Sequence, residues 1–124
     1  MLGDSDKEFL DQYIETALWS SNDESDDQGG EPLDRNYTRD DLAPETLEAI
    51  KADCLAFVDL ADELLDLEYS QAGHDFWLTR NGHGAGFWDG DWPEHGDKLT
   101  EISKGFGEAN LYIGDDGLIY QFQG

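Results

Sequence analysis

Thirty acidic side chains against seven basic ones give this chain of 124 residues a formal net charge of −23, and that imbalance limits the folds open to it. An unpaired carboxylate is costly to bury, and seven cations cannot pair thirty anions. The chain must therefore fold with nearly all of its acids in water, around a core drawn from what is left. That core material exists: hydrophobic residues make up 38% of the chain and aromatics 12%, too much apolar mass for a disordered acidic tail. The length suits one domain, 1–124, with one modest core.

The acids are unevenly spread. Residues 1–70 hold 21 acids and 4 bases, a balance of −17, whereas residues 71–124 hold 9 acids and 3 bases, a balance of −6. The apolar pattern divides at the same place. Ser5 and Glu8 make a capping-box pair ahead of Phe9, Leu10, Tyr13, Ile14, Ala17 and Leu18, whose spacing predicts a helix from about Ser5 to Trp19. Residues 20–31 lack periodicity and read as a solvated acidic loop, and a short helical turn fits near Thr38 to Leu42. Pro44 suits a first helical turn, and Leu47, Ile50, Cys54, Phe57, Ala61 and Leu64 follow at intervals of three and four. Val58, Leu60, Leu65 and Leu67 widen that stripe.

After Gly73 the pattern changes to short aromatic runs punctuated by glycine, which reads as strands and turns. His74–Thr79 and Ala85–Asp89 are expected to pair around Asn81, Gly82 and Gly84. Pro93 to Phe106 is expected to form a third helix ending at Gly105 or Gly107, and Leu111–Ile113 with Leu118–Phe122 a second hairpin. The expected fold is thus α+β: a single domain of about four antiparallel strands, in two hairpins, packed with about three helices. Residues 1–70 would form its acidic helical part and 71–124 a hairpin-helix-hairpin part.

The same residues bear on chemistry. His74, His83 and His95, with Asp75, Asp89 or Asp91, offer donors suited to a divalent transition metal. No H-E-x-x-H or Cys/His zinc spacing accompanies them, so the expectation is no metal and no cofactor. Asp89-Gly90-Asp91 begins like a calcium loop, but Glu94 stands where the pattern needs glycine. Gly82, Gly84 and Gly86 make no nucleotide-binding fingerprint. Ser103 and Thr100 have no nucleophile motif, and Cys54 falls on an apolar helical face, so no enzyme is expected. The lone cysteine precludes an intramolecular disulfide and fits a reducing, cytoplasmic setting. Met1 to Asp11 has no signal-peptide pattern, and no apolar run is long enough for a membrane span.

So negative a surface repels nucleic acid and anionic membrane and attracts proteins with basic grooves. On the second helix, Asp59, Asp62, Glu63 and Asp66 lie away from the apolar stripe, and Glu45 and Glu48 extend the row. With Asp23, Glu24, Asp26 and Asp27 of the acidic loop they form the candidate partner-binding surface, a set of carboxylates arranged like successive phosphates. A solubility coat or a salt-adapted proteome would give the same composition. An alternative contact surface is the aromatic, glycine-rich hairpin around Phe76, Trp77, Phe87 and Trp88, with the acids serving solubility alone.

Tyr13-Ile14-Glu15-Thr16-Ala17-Leu18-Trp19-Ser20-Ser21, Asp41-Leu42-Ala43-Pro44-Glu45-Thr46, Gln71-Ala72-Gly73-His74-Asp75-Phe76-Trp77-Leu78-Thr79-Arg80-Asn81-Gly82-His83-Gly84-Ala85-Gly86-Phe87-Trp88-Asp89 and Leu111-Tyr112-Ile113-Gly114-Asp115-Asp116-Gly117 resemble a family of small acidic proteins of tailed bacteriophages and prophages. The resemblance runs over nearly the whole chain. It implies a setting, the cytoplasm of an infected host, and no catalytic residues. Small acidic phage proteins include DNA mimics that block host restriction, immunity or repair enzymes, an analogy of size and charge. The expected function is therefore inhibition of a basic host DNA-binding protein by charge mimicry.

Overall fold

The computed structural model describes residues 4–20, 22–23, 31–33, 37–61, 68–81, 87, 92 and 95–123. Helix α1 spans Asp4–Ser20 and buries the predicted stripe of Phe9, Leu10, Tyr13, Ile14, Ala17 and Leu18, while Lys7, Glu8 and Glu15 face water. The Ser5 side chain, and with it the expected capping box, lies outside the described residues. Helix α2 spans Pro44–Ala61 and buries Ile50, Cys54, Phe57, Val58 and Ala61. Leu60, expected to widen this stripe, is 65% exposed. It stands ~100° around the helix from the stripe's centre, too far to reach the core. Leu64, Leu65 and Leu67 lie outside the described residues.

The expected four-stranded sheet with three helices is not the fold. Residues read as the strand His74–Thr79 belong instead to helix α3, Tyr69–Arg80, and of the expected partner strand Ala85–Asp89 only Phe87 is described, in a turn. The physical reason lies in where α3 sits. Ala72, Gly73, Asp75, Phe76, Trp77, Leu78, Thr79 and Arg80 are all buried, so no polar face breaks the pattern into a helical period. Gly73 is a contact glycine rather than a turn glycine. A Cβ there would lie 2.3 Å from the Phe9 carbonyl oxygen, so α1 and α3 approach backbone to backbone.

Helix α4, Gly96–Lys104, is shorter than the expected Pro93 to Phe106; Pro93 and Glu94 lie outside the described residues. It buries Leu99 and Ser103, and the Gly105 N–H caps it by donating to the carbonyls of Glu101, Ile102 and Ser103. Between α1 and α2, one 3-10 turn, Arg39–Asp41, carries a capping box in which the Thr38 hydroxyl accepts from Asp40 N and Thr38 N donates to the Asp41 carboxylate. Arg39 also pairs with Asp11 of α1.

Regular strand structure among the described residues is limited to two separate antiparallel pairs. Strands β1, Asn22–Asp23, and β2, Glu31–Pro32, pair over two residues inside the stretch read as a solvated loop. Strands β3, Ala109–Ile113, and β4, Ile119–Gln123, form the expected C-terminal hairpin, with Tyr112 opposite Tyr120. Its turn is set by Gly117 at φ 81°, a left-handed conformation that favours glycine. Asp116 braces the turn by accepting from Leu118 N and the Tyr120 hydroxyl. The hydroxyl holds the Asp116 carboxyl below its ordinary range, and the carboxylate in turn pushes the Tyr120 phenol up to about 12. Leu42 bridges Ile119 in parallel, and Ala43 N donates to the Ile119 carbonyl, so the hairpin docks on the lead-in to α2.

The buried apolar residues form one cluster with an aromatic centre. Phe57 of α2 stacks on Phe76 of α3 at 4.2 Å between centroids, with Phe9 and Phe87 on either side at 5.6 and 5.7 Å. No described helix is long and apolar enough to cross a membrane. Gly73→Ala tests the α1–α3 approach. The added methyl gains helix propensity but meets backbone, so we expect a net loss of about 1–3 kcal/mol in urea unfolding, the range for overpacking a core.

Candidate functional site

Asp75 and Thr79 of α3, and Asn81 just past it, each hold a different later part of the chain. Asp75, 2% exposed, accepts from Trp92 Nε1 at 2.7 Å, from Gln71 Nε2 through both oxygens at 3.1 Å, and meets His74 Nδ1 at 2.9 Å. Thr79 accepts from Phe87 N at 3.0 Å. Asn81, just past the helix, accepts from Ala109 N at 2.8 Å and donates to the Trp77 carbonyl. Of the aromatic residues offered as an alternative contact surface, Phe76, Trp77 and Phe87 are buried. Trp88 lies outside the described residues.

Arg80 gathers the most perturbed titratable groups. Its Nη1 donates to the Tyr13 hydroxyl at 3.0 Å and to Asp53 at 2.9 Å, Nε to the Gly107 carbonyl at 2.9 Å, and Nη2 to the Phe106 carbonyl at 3.1 Å. The guanidinium also lies over the rings of Phe76 and Phe106. Burial opposes its charge, but Tyr13 and Asp53 outweigh that and move its pKa up. Burial likewise raises the Tyr13 phenol well above its ordinary value, against the pull of Arg80, and raises the Cys54 thiol. Such shifts often mark active sites. Here Tyr13 and the Arg80 side chain have no exposure and Cys54 has 2%, so no substrate reaches them, and the cluster serves the fold.

His74 lies on α3 and His95 in the turn before α4, and no group of three His, Cys, Asp or Glu among the described residues is placed to hold a metal. His83, Asp89 and Asp91 lie outside the described residues. His74 Nδ1 is turned to the Asp75 carboxylate, 2.9 Å from Oδ1. The hydroxyls of Thr100 and Ser103 donate to the carbonyls of Gly96 and Leu99.

Of the expected acidic surface, Glu45, Glu48 and Asp59 are exposed on α2. Asp23 is described only as part of β1, and Glu24, Asp26, Asp27, Asp62, Glu63 and Asp66 lie outside the described residues. The described row is interrupted. Between Glu48 and Asp59, ~16 Å along the helix axis, the only carboxylate is Asp53, which turns in to Arg80. The face between them shows Ala52, Leu55 and Ala56 instead. Other exposed acids are Glu8 and Glu15 on α1, Asp40, Glu68, Asp97 and Glu101 on α4, Glu108, and Asp115 and Asp116 in the hairpin turn. Beside α4, an open depression of about 390 Å³ is lined by Leu60, Ile102 and Phe106, with Lys98 and Glu101 at its edge.

Two aromatic residues, Trp19 and Tyr112, are exposed without the sequence having singled them out. Trp19, at the last turn of α1, is 43% exposed and lies 6.0 Å from the His74 ring at 32°. It falls outside the Phe9–Leu18 stripe, and that offset was the signal available. No family model, curated protein or solved structure matches the chain.

Two measurements test the internal cluster. Arg80→Met removes the guanidinium from Asp53 and the Tyr13 hydroxyl and should cost about 3 kcal/mol, the low end for breaking a buried pair because Asp53 is 23% exposed and can rehydrate. Arg80→Lys, with one point charge in place of a planar fork, should recover only part of that. The second concerns alkali. Tyr13 ionises at higher pH in the folded state than in the unfolded chain, so its contribution is complete below about pH 10 and declines above it, by at most about 1.4 kcal/mol per pH unit. Urea titrations across that range should show the decline in the native sequence and a shallower one in Tyr13→Phe.

Proposed function

We propose that this chain is a non-catalytic binding protein whose acidic exterior takes the place of DNA on a basic, nucleic-acid-binding protein of the host cell. The supporting observation is the disposition of charge. One of seven cations, Arg80, is enclosed in the core with Asp53, and Arg39 is paired with Asp11, while exposed acids rise from α1, α2, α4 and the hairpin turn. A partner's cations would meet a field that few local cations offset. Glu45, Glu48 and Asp59 are the described part of the face we assign to it. In this reading DNA itself and anionic membranes are excluded, and the phage setting comes from the sequence resemblance. The interrupted carboxylate row on α2 makes the mimicry one of overall field rather than of phosphate-by-phosphate spacing.

Immobilised protein challenged with host lysate at low salt should retain nucleic-acid-binding proteins. Added duplex DNA should displace them, and retention should fall steeply as salt screens the contact. Replacing Glu45, Glu48 and Asp59 together by lysine should weaken capture by about tenfold or more, since each reversal turns an attraction into a repulsion. Capture of no nucleic-acid-binding protein, or capture unmoved by salt and by the triple reversal, would sink the proposal.

A further inference from the structure

We infer that Trp19, His74 and Glu15 form an anchoring point for an arginine side chain of the partner, an inference that rests on the reading of the chain as a binder of basic proteins. Three observations converge on it. Trp19 offers a large indole 43% open to solvent, in a fold that buries Trp77 and Trp92. Its ring is packed against His74, 6.0 Å away, and His74 is itself held by the buried Asp75. The platform is therefore braced from below: Gln71 and Trp92 fix the Asp75 carboxylate, Asp75 fixes the imidazole, and the imidazole backs the indole.

The chemistry on offer is specific. Indole is the best aromatic face for a cation, and guanidinium, planar and weakly hydrated, stacks on it more readily than ammonium does. With His74 Nδ1 turned to Asp75, the imidazole is held in place against the indole. Glu15 is exposed one helical turn before Trp19, at the i to i+4 spacing that places two side chains side by side. A flat cation can stack on the open indole and pair with the Glu15 carboxylate at once, whereas an ammonium can use the charge but not the stack. Charge complementarity points the same way, because the surrounding residues 1–70 carry a balance of −17. Interfaces concentrate their binding energy in such aromatic and arginine contacts.

The test uses the full chain, ¹⁵N-labelled at its indoles, titrated at low salt with hexa-arginine and separately with hexa-lysine. Hexa-arginine should shift the Trp19 indole signal. Trp19→Ala should weaken hexa-arginine about fivefold, an exposed cation–π contact, and hexa-lysine less. Trp19→Phe, which keeps a ring and guards against a folding defect in the alanine variant, should fall between. Glu15→Gln should weaken both peptides. If hexa-arginine binds but leaves the Trp19 indole and the Trp19→Ala affinity unchanged, the anchor is wrong while the acidic-surface reading stands. Equal losses for the two peptides would also overturn the anchor, leaving charge alone. If neither peptide binds, the acidic-surface reading itself fails.

Discussion

The guanidinium of Arg80 is the interaction on which the fold turns. It draws on α1 through Tyr13, on α2 through Asp53 and on the start of the C-terminal segment through the Phe106 and Gly107 carbonyls, all from one position at the end of α3. An uncompensated charge in that place would be prohibitive, so the four acceptors must be present together. The geometry they share leaves little freedom in how α1, α2 and α3 pack. Arginine suits the task because its donors point in fixed, coplanar directions. In a chain so short of cations, enclosing one of them is a sizeable commitment.

Around that point the remaining polar residues of α3 repeat the same device at smaller scale. Asp75 holds Trp92, Thr79 holds Phe87 and Asn81 holds Ala109. Helix α3, with Asn81 just past it, thus holds Phe87, Trp92 and Ala109 of the chain that follows. Gly73 completes the arrangement on the other side by letting α1 come within backbone contact. Phe76, Trp77, Leu78 and Phe87 of the motif that stands out in the sequence are taken up by this architecture, while Trp19 stands 43% exposed on α1.

The parts of this fold that sequence made legible are those with one wet face. α1, α2 and the C-terminal hairpin could be read because Phe9, Tyr13 and Leu18, or Ile50, Cys54 and Phe57, alternate with exposed residues at the right period. α3 could not, because its run from Asp75 to Arg80 is wholly buried and has no alternation, and Phe76-Trp77-Leu78-Thr79 has the composition of a strand. Leu60 was misplaced by counting apolar residues rather than angles. Of the candidate surface, the exposure of Glu45, Glu48 and Asp59 followed from their positions off the stripe. The inward turn of Asp53 did not, since its partner Arg80 lies 27 residues on in a helix that was itself unread.

The bridge between Leu42 and Ile119 has a consequence for the order of events during folding. The β3–β4 pairing is local and can form as soon as its turn is made, but its seat beside Ala43 closes a loop of 77 residues that contains α2, α3 and α4. Contacts across so long a loop are repaid only after the intervening helices have condensed. The hairpin's own pairing is thus local, whereas its docking, which places Ala109, Leu111 and Ile119 in the core, depends on that condensation.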